Sequence, residues 1–166
     1  MTLVLGGARS GKSAVAEGLA ARTAERVTYI ATTEVGDDPE LASRIADHRD
    51  RRPAGWETLE VRVDLAAVLT KLPGTVLVDS LGPWVTAFLP GPPDSDGLCR
   101  ALRGRAGHTV VVSEEVGLSV HPSSALGRRF RDQLGLVNQA VAAVSDDVLL
   151  VVAGRVLPLV EPIVGR

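Results

Sequence analysis

The chain has 166 residues, 45% of them hydrophobic and 23% charged, a composition that suits one folded domain over residues 1–166 and excludes disorder. Its 18 basic and 20 acidic residues leave a formal charge of −2, so no global field draws it to nucleic acid, and 3% aromatics leave little for base stacking. The single Cys99 excludes an internal disulfide and points to the reducing cytoplasm, while no apolar run reaches the ~20 residues of a membrane span.

Met1-Thr2-Leu3-Val4-Leu5 runs straight into glycines without the basic region of a signal peptide and reads as the first strand. Brief Val- and Ile-rich runs bounded by turn or charge signals predict buried strands at Thr2–Leu5, Val27–Ala31, Val76–Asp79, Thr109–Ser113 and Val148–Ala153. Trp56–Val61 reads as a shorter edge strand. Helices are expected over Lys12–Ala24, Pro39–Arg51, Asp64–Leu72 and Ala125–Val144; Asp38 caps the second, and Pro73-Gly74 stops the third. Pro90–Gly97 is turn-rich and reads as a surface loop without a regular element. Val156–Val160 can return along the preceding strand in a hairpin around Gly154-Arg155. The alternation predicts an α/β fold: a mostly parallel sheet flanked by helices, with a C-terminal antiparallel hairpin.

Gly6-Gly7-Ala8-Arg9-Ser10-Gly11-Lys12-Ser13 fits Gly-x-x-x-x-Gly-Lys-Ser between a predicted strand and a predicted helix, which makes the fold P-loop NTPase-like. In such a loop backbone N–H groups turn inward around phosphate oxygens, Lys12 reaches the β- and γ-phosphates, and Ser13 can ligate Mg²⁺. Asp79 ends an apolar strand, where a carboxylate can hold the same Mg²⁺ opposite the loop serine. Asn-Lys-x-Asp, the guanine-specifying word, is absent.

The segment Arg44–Pro53 is dense in arginine, and helical spacing puts Leu41, Ile45, His48 and Arg52 on one stripe. By itself His48 reads as a partly buried histidine beside a solvated charged face. Guanidinium groups also match phosphate oxygens bidentately, so the same residues could hold a polyphosphate against a histidine nucleophile. His108 and His121 lack partners at metal spacing and read as structural. Ser113–Leu118 leaves a strand at its carboxyl end, where parallel sheets bind ligands, and is a candidate acceptor-substrate loop. Glu115, Glu60 and Asp79 are the carboxylates available as a base.

Taken together, Gly6–Ser13, Tyr29-Ile30-Ala31-Thr32-Thr33, Arg44-Ile45 with His48, Arg52-Pro53, Trp56, Thr58 and Glu60, and Phe130-Arg131-Asp132 with Asn138-Gln139 resemble the bifunctional adenosylcobinamide kinase/adenosylcobinamide-phosphate guanylyltransferase family over nearly the whole chain. The resemblance implies phosphorylation of adenosylcobinamide by ATP or GTP, then transfer of GMP from GTP to that phosphate, giving adenosylcobinamide-GDP. It implies a guanylyl-histidine intermediate on His48, with Lys12 as the second catalytic residue. Gly6, Gly7, Ala8, Arg9, Ser10, Gly11, Lys12, Ser13, Ala31, Thr32, Thr33, Arg49, Asp50, Arg51, Arg52, Glu60 and Asp79 are the nucleotide-binding residues it implies, with Ser13 and Asp79 on the metal. His48 must be unprotonated to attack, and Arg44, Arg49, Arg51 and Arg52 nearby favour that form. The partners implied are the corrinoid substrate and further copies of the chain in a ring-like homo-oligomer such as a trimer, with no nucleic acid and no membrane span.

The chain departs from the usual pattern on the corrinoid side. Ser80-Leu81-Gly82-Pro83 stands where Cys-Leu-Thr-Leu is frequent, Glu114 where Asn is common, and Ser123-Ser124 in place of Glu-Asn. A guanylyltransferase with a lost or weakened kinase step, and a nucleotide-dependent regulatory module without group transfer, are the alternatives those departures leave.

Overall fold

The computed structural model describes residues 1–23, 26–33, 53 and 55–161. Seven strands, β1 (Thr2–Gly6), β2 (Val27–Ala31), β3 (Glu57–Glu60), β4 (Thr75–Asp79), β5 (Thr109–Glu114), β6 (Asp147–Val152) and β7 (Arg155–Leu159), form one sheet in the order β3-β2-β4-β5-β1-β6-β7. All neighbours run parallel except β7, which pairs antiparallel with β6 across the Ala153-Gly154 turn, the hairpin expected from the sequence.

Alternation along the central strands explains why they stack between two layers. Leu3, Leu5, Val76, Val78 and Val111 enter one apolar cluster, while Val4, Leu77, Val110 and Val112 enter another. A period of two sends successive side chains to opposite faces, and here both faces are apolar. The second cluster is completed by Ala16 and Ala20 of α1 (Lys12–Ala21), and the first by α2 (Leu65–Leu69), α3 (Leu81–Thr86), α4 (Ser95–Gly104) and α5 (Ala125–Ala142). Each fully buried leucine, such as Leu3, Leu77 or Leu134, stabilises the fold by about 1.5–3 kcal/mol relative to exposure. Trp84 of α3 is buried and meets Phe88 edge to face, with ring centroids 5.3 Å apart.

Two helices go beyond the sequence expectation. Pro90–Gly97 is not wholly loop: α4 starts at Ser95, with the Asp94 carboxylate accepting the Gly97 N–H at 2.8 Å. An Asp at N-cap satisfies one orphan donor of the first turn, so the polar Asp94–Gly97 word opens the helix that buries Leu98, Cys99, Ala101 and Leu102. α3 carries Gly82 and Pro83 in its first turn, where a proline costs no helical hydrogen bond. The strand expected to be buried near the C-terminus is only partly so. Val151 alone of β6 is fully covered, and β7, the edge strand paired with it, is exposed along its length. The expected helix Pro39–Arg51 lies outside the described residues.

The amino end of the sheet is tied shut. Arg105 donates to the carbonyls of Leu72, Gly74 and His108 and to Thr109 Oγ1, joining the turn before β4 to the turn before β5. The carboxyl end is where backbone and polar side chains are left to bind. Burial pushes the Cys99 thiol above its usual range, with Arg103 opposing and Asp96 reinforcing the effect, so this cysteine packs as a small apolar group.

Candidate nucleotide and acceptor site

The register of the strands brings the sequence-predicted residues to one edge. Glu60 pairs with Ala31 and Ala31 with Asp79, at the carboxyl ends of β3, β2 and β4, while Gly6 ends β1 opposite Glu114 of β5. Ligands of parallel α/β sheets bind at this end.

The loop Gly6–Ser13 leaves β1 and enters α1. Gly11 sits at the helix N-cap with φ 93°, in the left-handed region that favours glycine, and Arg9 takes φ 56°. Ser10 is buried; its N–H donates to Gly7 O at 3.3 Å, and its own carbonyl accepts the Gly154 N–H at 2.8 Å. The β6–β7 turn therefore braces the loop from outside, a contact with no signal in the loop's own sequence. Lys12, its side chain 13% exposed, folds back with Nζ 3.4 Å from Gly7 O and 3.7 Å from Glu114 Oε1.

Beside the loop, Asp79 Oδ2 accepts from Tyr29 OH at 2.8 Å, which fixes the carboxylate at the end of β4. Thr32 Oγ1 donates to Ser80 O and accepts the Ser80 N–H at 3.1 Å, locking the end of β2 to the β4–α3 junction. Glu60 is exposed at the edge of the sheet, two strands from Asp79. Glu115 Oε1 accepts the Gly117 N–H at 2.6 Å, and its backbone N–H donates to Gly6 O at 3.1 Å.

Glu114, within the Ser113–Leu118 word expected to face the acceptor, is a carboxylate of the site beyond the candidate bases Glu115, Glu60 and Asp79. Its Oε1 accepts from Ser80 Oγ at 2.8 Å and its Oε2 accepts the Gly82 N–H at 3.0 Å, while Lys12 lies alongside. Ser113, the residue before it, points into the interior, where its Oγ donates to Asn138 Oδ1 at 2.6 Å and Asn138 in turn donates to Glu114 O. These bonds fix the turn of the chain that aims 114, rather than 115, at Lys12. The signal available was the Ser113–Leu118 word itself, since strand alternation assigns Ser113 and Glu114 to opposite faces once the end of β5 is known.

A cleft of about 470 Å³ opens next to Glu114, lined by Thr32, Thr33, Arg62, Pro83, Thr86 and Phe130 among others. Its walls mix hydroxyls, a cation and apolar surface, which suits a large, partly polar organic substrate. His48, Arg49, Asp50, Arg51 and Arg52 lie outside the described residues. His121 lies 2.9 Å from Arg131 Nη1, at the start of α5 and away from these groups.

The donor set at the loop also bears on Mg²⁺. Among the described residues no three His, Cys, Asp or Glu side chains gather into a metal cage. Ser13 in the first turn of α1 and Asp79, held by Tyr29, instead offer one hydroxyl and one carboxylate oxygen. Hard oxygen donors in that small number fit Mg²⁺, which takes its other ligands from phosphates and water. No helix among the described residues is long and apolar enough to cross a membrane.

Comparison with known proteins points to one family. The family model for cobinamide kinase / cobinamide phosphate guanyltransferase matches residues 2–159. The bifunctional adenosylcobalamin biosynthesis protein CobP of Pseudomonas aeruginosa is 45% identical, over 95% of this chain and 95% of its own. The corresponding CobU protein of Salmonella typhimurium is 40% identical, over 93% of this chain and 96% of its own. Among solved structures, a Pyrococcus horikoshii protein superposes with a TM-score of 0.55 at 8% identity, covering 95% of this chain and 84% of that one. The flagellar accessory protein FlaH of Methanocaldococcus jannaschii superposes with a TM-score of 0.51 at 12% identity, covering 93% and 74%. These two share the fold.

Proposed function

We infer the activity from one premise, that the chain belongs to the cobinamide kinase / cobinamide phosphate guanyltransferase family. It is accordingly an enzyme of cobalamin biosynthesis that uses ATP or GTP to phosphorylate adenosylcobinamide and then transfers GMP from GTP onto the phosphate, giving adenosylcobinamide-GDP.

Gly6–Ser13 hold the triphosphate, with Lys12 neutralising charge that builds on the β- and γ-phosphates, and Ala31–Thr33 and Glu60 line the rest of the nucleotide site. Ser13 and Asp79 would hold Mg²⁺, which supplies Lewis-acid neutralisation of phosphate charge when bound. His48 is the nucleophile of the second reaction: its neutral imidazole attacks the α-phosphorus of GTP, pyrophosphate leaves, and the corrinoid phosphate takes the guanylyl group from the histidine. Arg49, Asp50, Arg51 and Arg52 contact the guanylate beside it, the arginines pairing with phosphate oxygens. One residue, Lys12, serves both halves, because each begins from a triphosphate seated in the loop. The observation that carries this reading is the lysine's position, 3.7 Å from Glu114, whose side chain lines a cleft with room for a second substrate. We further propose that the enzyme works in the cytoplasm as a homo-oligomer such as a trimer, with the exposed Val156, Leu157 and Leu159 of β7 as apolar surface a second copy would cover.

The test is intact-protein mass after incubation with GTP and Mg²⁺, with ATP and His48→Ala as controls. An acid-labile increment of one GMP, seen with GTP and lost in His48→Ala, is expected. GTP binding without any adduct would leave a P-loop kinase with His48 as an ordinary side chain.

A further inference from the structure

Two segments far apart in the chain meet at one carboxylate. Glu114 receives Ser80 Oγ on one oxygen and the Gly82 N–H on the other, and Lys12 faces it at 3.7 Å. A Cβ on residue 82 would sit 2.2 Å from Glu114 Oε2, so any side chain there would push the carboxylate out of its seat. Serine at 80 supplies a hydroxyl donor, glycine at 82 supplies space and an N–H, and glutamate at 114 supplies the group they hold. The three residues therefore form one built arrangement.

Its placement has a chemical consequence. A negative group beside the phosphate-binding lysine opposes triphosphate binding unless it contributes elsewhere in the reaction. When a triphosphate enters, Lys12 turns to the phosphates, and Glu114 keeps Ser80 and Gly82 as fixed donors. A carboxylate offers about four lone-pair sites, so acceptor capacity remains. Its side chain is 28% exposed and lines the cleft. Among the described residues Glu114 is the carboxylate that lines this cleft, whereas Asp79 is held by Tyr29, Glu115 accepts from Gly117, and Glu60 is at the sheet edge.

We propose that Glu114 is the acceptor-side catalytic residue of the phosphoryl transfer, binding the substrate hydroxyl in the cleft and taking its proton. This rests on the kinase half of the function given above. The acceptor oxygen forms a bond to the γ-phosphorus, and the bond from that phosphorus to the bridging oxygen breaks with its electron pair leaving on the nucleoside diphosphate. The hydroxyl proton passes to Glu114 and then to water as product departs. Ser80 is a positioning residue: its hydrogen bond orients the carboxylate.

Glu114→Gln and Ser80→Ala test this with adenosylcobinamide and ATP, following kcat, KM, the pH–rate profile, nucleotide affinity and GMP-adduct formation. Glu114→Gln should lower the kinase kcat by about 10²–10⁴-fold and erase the acidic limb of its pH profile, while nucleotide still binds and the GMP adduct still forms. Ser80→Ala should lower kcat by about tenfold while KM and nucleotide affinity keep their wild-type values, because the carboxylate loses the donor that orients it. If Glu114→Gln does not fold, the fall in kcat at unchanged KM in Ser80→Ala decides. Wild-type kcat in Glu114→Gln, or a loss confined to nucleotide affinity with the pH profile intact, overturns the proposal and leaves Glu114 as a partner of Lys12 alone. A wild-type enzyme that forms the GMP adduct without phosphorylating adenosylcobinamide overturns the kinase half as well, which separates the two failures.

Discussion

The phosphate side of the site gathers its groups from the consecutive residues Gly6–Ser13, whereas the acceptor side holds Glu114 by residues 34 and 32 positions away in the chain. On the first side geometry follows from local sequence: glycine permits the turn at Gly11, and α1 starts where the loop ends. On the second side geometry follows from strand order, since β5 lies between β1 and β4 and so carries its last residue between the loop and the β4–α3 junction. A site built both ways can alter its acceptor chemistry through substitutions in one region without disturbing how it grips phosphate.

Lys12→Ala gives the largest expected effect and is the strongest attempt to break this comparison. Lys12 faces both sides, so its loss should lower kinase turnover and GMP-adduct formation alike, by about 10²–10³-fold, the cost of removing one preorganised charge-stabilising donor. Single-turnover rates of the two half-reactions check it. A loss confined to one of them would mean that the two reactions seat their triphosphates differently.

Gly82→Ala sharpens the comparison from the acceptor side. The added methyl needs the space of Glu114 Oε2, so the carboxylate must turn out and give up the Gly82 N–H. Kinase kcat should fall by about 10–100-fold, as for loss of a hydrogen bond to a charged group together with misplacement. In Gly82→Ala/Glu114→Gln the second change should cost far less than it does alone, because groups acting as one unit are not additive. Additive losses would separate Gly82 from Glu114.

The same division explains what could be read from the sequence. The strands were legible because Leu3-Val4-Leu5, Val76-Leu77-Val78 and Val110-Val111-Val112 are apolar on both faces, and the loop because its chemistry is contiguous. Glu114 was not, since its role depends on Ser80 and Gly82, and a strand end uncertain by one residue exchanges 114 for 115 on the face towards Lys12. The contact of Gly154 with Ser10 was hidden for the same reason, being a meeting of two loops across the sheet edge. α3 was missed because Gly82 and Pro83 depress helix signals in a helix of six residues.

Asp94→Ala, the smallest of these effects, separates fold from site. Asp94 caps α4 through the Gly97 N–H, and α4 covers the sheet with Leu98 and Leu102 without lining the cleft. Losing an N-cap carboxylate costs about 0.5–2 kcal/mol, so the denaturant midpoint should fall while kinase kcat/KM and adduct formation keep their wild-type values. The word Asp94-Ser95-Asp96-Gly97 looks like loop because capping residues and turn residues are the same residue types, and only the stripe Leu98, Cys99, Ala101, Leu102 after it marks a helix. An unchanged midpoint would show that this stripe, packed against the sheet, holds α4 without its cap.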